Sequence, residues 1–175
     1  MKVVVDELLP ASGTARTLPF DERVESQTED VAFPAPVTGQ VTLTHLGETL
    51  DLRGTVTTTV TLVCGKCLRP FEHSLAASIT EQFWMAPPER PVGQEVALTE
   101  EDFVFPLGEG KTLDLTEVVR QHLLLELPMV PQCSEDCRGL CPRCGANLNT
   151  GPCGCAGREI DPRLAALQRL RSDST

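Results

Sequence analysis

Eight cysteines fall in two groups: a pair, Cys64 and Cys67, and a downstream run, Cys133, Cys137, Cys141, Cys144, Cys153 and Cys155. The spacings are C-x2-C in the pair and C-x3-C-x3-C-x2-C-x8-C-x-C in the run. Thiolates a few residues apart on a tight turn reach one ion at about 2.3 Å, and four of them complete a tetrahedral zinc site. Eight sulfurs therefore predict one or two Zn²⁺ per chain. Disulfides are the competing reading, and compartment weighs against them. Met1 to Glu7 has three valines and then charge, with no apolar run of signal-peptide length, so a cytoplasmic protein is expected, where disulfides are rare. Thioredoxin-type redox catalysis requires a strand before the C-x-x-C and a helix after it. Cys64-Gly65-Lys66-Cys67 lies instead between two strand-like stretches.

Within the run, Cys141-Pro142-Arg143-Cys144-Gly145 has the form of a zinc knuckle: proline fixes φ and glycine permits a left-handed turn. Gly65 is expected to play the same part between Cys64 and Cys67. Spacing leaves the partition of the sulfurs open. In one arrangement the two knuckles, Cys64, Cys67, Cys141 and Cys144, share an ion, and Cys133, Cys137, Cys153 and Cys155 hold another. In a second, one site is built wholly within the tail. The histidines, His45, His73 and His122, are scattered, and His122 reads as a hydrogen-bonded core residue. Asn147 and Asn149 read as turn residues. No convergent acid, base and nucleophile can be placed, so no enzyme is expected.

Other elements must position these thiols. A short strand is expected at residues 2–5, then loosely ordered chain over 6–35. From Val37 the pattern alternates: Val41, Leu43 and His45, a turn at Gly47-Glu48, then Leu50, Leu52, Val56, Val60 and Leu62 at even positions. Phe71, His73, Leu75, Ala77, Ile79 and Phe83 continue at odd positions, so three antiparallel strands share one apolar face. Residues 86–102, rich in proline and acid, read as a surface connection, and 103–105 as a short strand. Asp114 caps a helix whose stripe is Leu115, Val118, Val119, His122 and Leu123, ended by Pro128. A short C-terminal helix follows Asp161-Pro162, striped by Leu164, Leu167 and Leu170. The fold class is α+β: a mainly antiparallel β-sheet with one packed helix and a cysteine-rich zinc-binding C-terminal segment. Residues 1–132 form the mainly β body, with its helix near 115–126, and 133–175 the metal-binding tail, which has too few apolar side chains to fold by burial.

The 175 residues carry a formal charge of −10. Residues 1–132 hold 9 Lys/Arg against 20 Asp/Glu, a balance of −11, and residues 133–175 hold 6 against 5, a balance of +1. General nucleic-acid affinity depends on cations that displace counterions from phosphate, so such a body suits a basic protein partner better than RNA. Any RNA contact would be local, through the tail arginines Arg138, Arg143, Arg158, Arg163, Arg169 and Arg171. No apolar run has the length of a membrane span, and no membrane partner is expected.

The run from Cys64 to Phe71, the helix ending in Leu127-Pro128, and the run from Cys137 to Asn149 with the later Asp161–Leu167 stretch together resemble the YceD family. The resemblance covers nearly the whole chain, with specific matches in 60–72 and 111–171. It implies a bacterial or plastid protein needed for accumulation of large-subunit (23S) ribosomal RNA, often encoded beside a large-subunit ribosomal protein. The family's upstream cysteine pair falls on Cys64 and Cys67, and the tail of its metal-type members on Cys133 through Cys155. A non-enzymatic ribosome biogenesis factor follows, with a ribosomal protein or large-subunit precursor as partner. Two alternatives stand beside it: an RNA-contacting zinc module that uses the tail arginines, and a redox-switched zinc chaperone.

Overall fold

Stretches in which valine, threonine and leucine alternate satisfy a pleated sheet with one buried face, because β-branched side chains pack well there and successive residues point to opposite sides. The computed structural model describes residues 1–25, 31–86, 104–155 and 163. In it, β1 (Lys2–Val4) leads into the one-turn α1 (Val5–Leu8), followed by β2 (Ala15–Glu22), β3 (Val37–His45), β4 (Thr49–Val63) and β5 (Pro70–Trp84). Then come β6 (Phe105–Pro106), a 3₁₀ turn at Glu109–Lys111, β7 (Thr112–Asp114) and α2 (Leu115–Leu125). Five strands form one sheet in the order β2-β3-β4-β5-β6, antiparallel except for the β5–β6 pair, and β1 pairs with β7 in a separate two-stranded ribbon. The expected α+β class, mainly antiparallel with one principal helix, is what the chain forms.

The even positions of β4 and the odd positions of β5 share the buried face: Leu50 stands opposite Phe83, and Val56 opposite Ala77. Leu43 of β3 joins them opposite Leu52. Asp114 caps α2 by accepting a hydrogen bond from the Glu117 backbone N–H (3.4 Å), and Leu115, Val119 and Leu123 bury the helix stripe. The helix lies against β5 and β1. His122 is half-buried and its Nε2 lies 3.0 Å from Glu81 Oε1, so the histidine on the apolar stripe is satisfied by a carboxylate from the sheet face it covers.

The expectation of loose chain over 6–35 fails for much of its length. β2 pairs with β3 from Ala15↔Thr44 to Glu22↔Val37 and buries Phe20. Pro19 argues against a strand in a sequence, but β2 is an edge, where a residue without an N–H removes no ladder bond if it faces outward. The expected strand at 103–105 is placed at Phe105–Pro106, with Phe103 outside the described residues. Most of the 86–102 connection and the C-terminal helix also lie outside them.

Two features bear on the thiols. β4 and β5 pair over their whole length, but β3 covers β4 only as far as Thr57, leaving the hairpin tip to run on beyond the third strand. The bridge Ala32↔Thr61 supports that overhang from the side. Further back, β3 and β4 approach closely at Gly39 and Gly54. A Cβ on Gly54 would stand 2.6 Å from the Gln40 carbonyl oxygen, and one on Gly39 would run into the Thr55 carbonyl. Since a backbone atom cannot swing aside, Gly54→Ala is expected to destabilise the fold by about 1–3 kcal/mol, as overpacking does, read as a lower midpoint in urea. An unchanged midpoint would show that the strands can separate there at no cost.

Candidate metal centre

Both cysteine pairs of the C-x-x-C type sit on the same local turn. In the upstream knuckle, at the β4–β5 hairpin tip, the Leu68 N–H donates to the Cys64 carbonyl (2.9 Å), and in the downstream knuckle Gly145 N–H donates to Cys141 C=O (2.9 Å). The residue after the second cysteine is left-handed in each, Gly145 at φ 71° and Leu68 at φ 56°. Gly145 thus fills the role expected of it. Gly65 does not: the left-handed position falls on Leu68, outside the thiol pair, and a leucine accepts a conformation that costs a side-chain-bearing residue roughly 1–2 kcal/mol.

The eight sulfurs form two tetrads. Cys64, Cys67, Cys133 and Cys137 make an inner one, and Cys141, Cys144, Cys153 and Cys155 an outer one, with the sulfurs of each within 4.8 Å of one another. The arrangement in which the two knuckles share an ion is therefore incorrect. Each knuckle recruits a different pair of tail cysteines, and the outer tetrad lies wholly within the tail, as the second arrangement has it. The chain leaving α2 explains the choice. Pro131 accepts a 2.8 Å hydrogen bond from Gly65 N–H, which lays the strap before Cys133 across the hairpin tip and delivers Cys133 and Cys137 to the upstream knuckle.

The inner geometry is that of a coordination shell. Cys64 Sγ lies 3.8 Å from Cys137 Sγ, and Cys67 Sγ 3.7 Å from Cys133 Sγ. A tetrahedral ion with metal–sulfur bonds of about 2.3 Å has sulfur–sulfur edges of about 3.8 Å. A disulfide requires about 2.05 Å, and all eight cysteines are free thiols. Such edges leave room for one ion and none for a cluster of several metal atoms. The residues thus fit a mononuclear metal, and both tetrads could hold one.

Hydrogen bonds to sulfur tune the thiols. The Cys64 thiol is drawn down to about 6, first by the Cys67 backbone N–H and then by that of Cys133, which lies 3.5 Å from the sulfur. Cys137 is also lowered, chiefly by the Asn149 side-chain amide, whose Nδ2 donates to Cys137 Sγ at 3.4 Å. Cys133 moves the other way, to about 12, because it donates to the Cys137 sulfur beside it. The outer tetrad repeats the division. Cys141 falls to about 6 under the Cys144 and Arg143 backbone N–H groups, while Cys155 rises to about 12 against the Cys144 sulfur. In each tetrad, protons thus remain on some sulfurs while others ionise readily. An entering cation displaces the remaining protons and takes up the charge.

Asn149 joins the two centres. It belongs to the loop between Cys144 and Cys153, its Oδ1 accepts from Arg138 N–H (2.8 Å), and its own N–H donates to Asn147 Oδ1 (2.9 Å). The asparagines read as turn formers are thus also ligand-orienting groups. Their position two and four residues after the knuckle glycine Gly145, with amides able to donate and accept at once, is the signal that marks them. The histidines stay out of both tetrads: His45 lies by the Leu9 and Gly47 carbonyls, and His73 edge-on to Phe71.

The profile of a family described as large ribosomal RNA subunit accumulation protein YceD matches residues 52–171, a span that contains every one of these cysteines. The chain belongs to the YceD family. Relatives within reach of this YceD chain include an uncharacterized protein of Mycobacterium tuberculosis, 36% identical over 153 residues, covering 87% of this chain and 61% of that protein. Another is the Arabidopsis thaliana large ribosomal RNA subunit accumulation protein YCED homolog 1, chloroplastic, 27% identical over 170 residues, covering 85% of this chain and 53% of that protein. YlbN of Bacillus subtilis, an uncharacterized protein, is 26% identical over 157 residues, 86% of each chain. The chain spans about three fifths of the length of the Mycobacterium tuberculosis relative. No solved structure matches it.

The grouping predicts how metal leaves. Replacing Cys64 and Cys67 by serine should lower the bound metal from two ions per chain to one and open residues 131–140 to protease, while 141–155 stays protected. Loss of both ions, or of protection throughout 131–155, would contradict two separate tetrads.

Proposed function

We propose that this YceD chain is a non-enzymatic ribosome biogenesis factor, acting in the accumulation of large-subunit (23S) ribosomal RNA and holding a Zn²⁺ in each cysteine tetrad. The observation that carries the reading is the family match over residues 52–171, which spans the sheet's central hairpin, α2 and both tetrads together. The name of the Arabidopsis relative points to the same process. Zinc is the ion that four thiolates at tetrahedral spacing suit best when a single redox-inert centre is wanted. In this reading the ions hold the surface together and perform no chemistry on a substrate.

The acidic residues 1–132 favour a basic partner, and a ribosomal protein or large-subunit precursor supplies one. Local contact with ribosomal RNA falls to the tail arginines, of which Arg138 lies exposed next to the inner tetrad. Among the described residues no helix is long and apolar enough to cross a membrane, and the proposed site of action is the cytoplasm, where ribosomes assemble.

Depletion of the protein in its host, followed by subunit profiling, tests the reading. A deficit of large subunits and of 23S relative to 16S RNA is expected, restored by the wild-type chain and not by the Cys64→Ser, Cys67→Ser variant. A normal profile in depleted cells would overturn it.

A further inference from the structure

The two tetrads differ in how far the protein closes over them. Cys64, Cys67 and Cys137 are 0%, 2% and 6% exposed, Cys133 is half-buried and none of the four is exposed, and the inner sulfurs come from segments separated by as many as 73 residues. Breaking that centre means parting the hairpin tip from the strap that crosses it. The outer tetrad takes all its sulfurs from residues 141–155. Only Cys141 is buried there; Cys153 is half-buried, and Cys144 and Cys155 are exposed. Among the described residues nothing lies within 4 Å of where a Cβ would stand on Gly145, Gly151 or Gly154, so little of the described chain packs on the loop carrying the outer sulfurs.

Access decides which metal thiolates meet a dissolved oxidant, since oxidation follows thiolate character and exposure. We propose that the outer tetrad is an oxidant-released metal site: peroxide joins the exposed Cys144 and Cys155 as a disulfide and frees the ion, while the inner tetrad keeps its own. The inference rests on the metal reading above. One thiolate attacks a peroxide oxygen, the O–O bond breaks, and a sulfenic acid and hydroxide form. The second thiolate then attacks the sulfenic sulfur, forms the S–S bond and expels the second hydroxide. Two protons from solvent turn the two hydroxides into water, so two electrons pass from the sulfurs to one peroxide. An ion left with two of its four ligands is released, and Cys141 and Cys153 take up protons.

The step also has a route to the inner centre. The loop from Cys144 to Cys153 presents Asn149, whose amide supports Cys137. Release of the outer ion withdraws that donor from an inner ligand and leaves the four inner sulfurs in place. The tail is thereby loosened while its anchor on the sheet holds.

The test uses the full, reduced, zinc-loaded chain titrated with hydrogen peroxide. Freed zinc is read by a colorimetric chelator, and disulfides are located by alkylation, digestion and mass spectrometry. The expected result is release of one zinc of two, with a Cys144–Cys155 disulfide, reversed by dithiothreitol and added zinc. A Cys144→Ser, Cys155→Ser chain should carry one zinc that the same peroxide does not release. Release of both ions together, or a first disulfide among Cys64, Cys67, Cys133 and Cys137, would overturn the inference and leave the metal reading standing. A chain that binds no zinc would overturn both.

Discussion

Four sulfurs within 4.8 Å of one another at the tip of a hairpin, with Cys64–Cys137 at 3.8 Å and Cys67–Cys133 at 3.7 Å, cannot all carry charge unless a cation lies between them. That constraint governs the half of the molecule beyond the sheet. The tip of β4 and β5 runs past the pairing with β3, and is held there by the burial of Val60 and Leu62 and by the Ala32↔Thr61 bridge. The chain leaving α2 carries two prolines, Pro128 and Pro131, and forms no helix over residues 128–155. A metal in the inner tetrad would tie the hairpin tip and the strap to each other as one unit.

The sheet supplies the other half of the arrangement. Its buried side is filled by leucine, valine, isoleucine and phenylalanine from four strands and closed by the stripe of α2, so the hairpin that bears Cys64 and Cys67 grows from a packed base. The direction of α2 then decides which tail cysteines arrive. Asp114 starts the helix at the end of β7, Leu125 ends it, and the short passage to Pro131 brings Cys133 across the tip. A separate, local tetrad follows in residues 141–155, linked to the first by the side chain of Asn149. The YceD match, from residue 52 to residue 171, takes in this hairpin, helix and pair of tetrads and leaves out β1, β2 and β3.

Much of this was legible in the residues. The even positions of Leu50 to Leu62 and the odd positions of Leu75 to Phe83 name the buried face correctly, because period-two burial is imposed by the pleat itself. Asp114 and Pro128 bound the helix for equally local reasons, and the eight cysteines announce metal chemistry by type and spacing. What stayed hidden is what depends on distance in space. Which tail cysteines meet Cys64 and Cys67 is set by the path of the strap after α2, and sulfurs 66 and 73 residues apart leave no mark in local spacing. β2 was obscured by Pro19, whose cost disappears only at a sheet edge. Composition points to Gly65, the glycine between the thiols, as the left-handed residue of the upstream knuckle, whereas the turn places it one residue beyond Cys67, on Leu68.

The central claim is that each tetrad holds one ion through four sulfurs, and X-ray absorption at the metal edge of the purified, reduced chain tests it most directly. The account predicts two zinc ions per chain in a shell of four sulfurs at about 2.3 Å, with no nitrogen or oxygen scatterers. A shell containing nitrogen or oxygen, or a chain without bound metal whose strap remains folded on the hairpin, would contradict it.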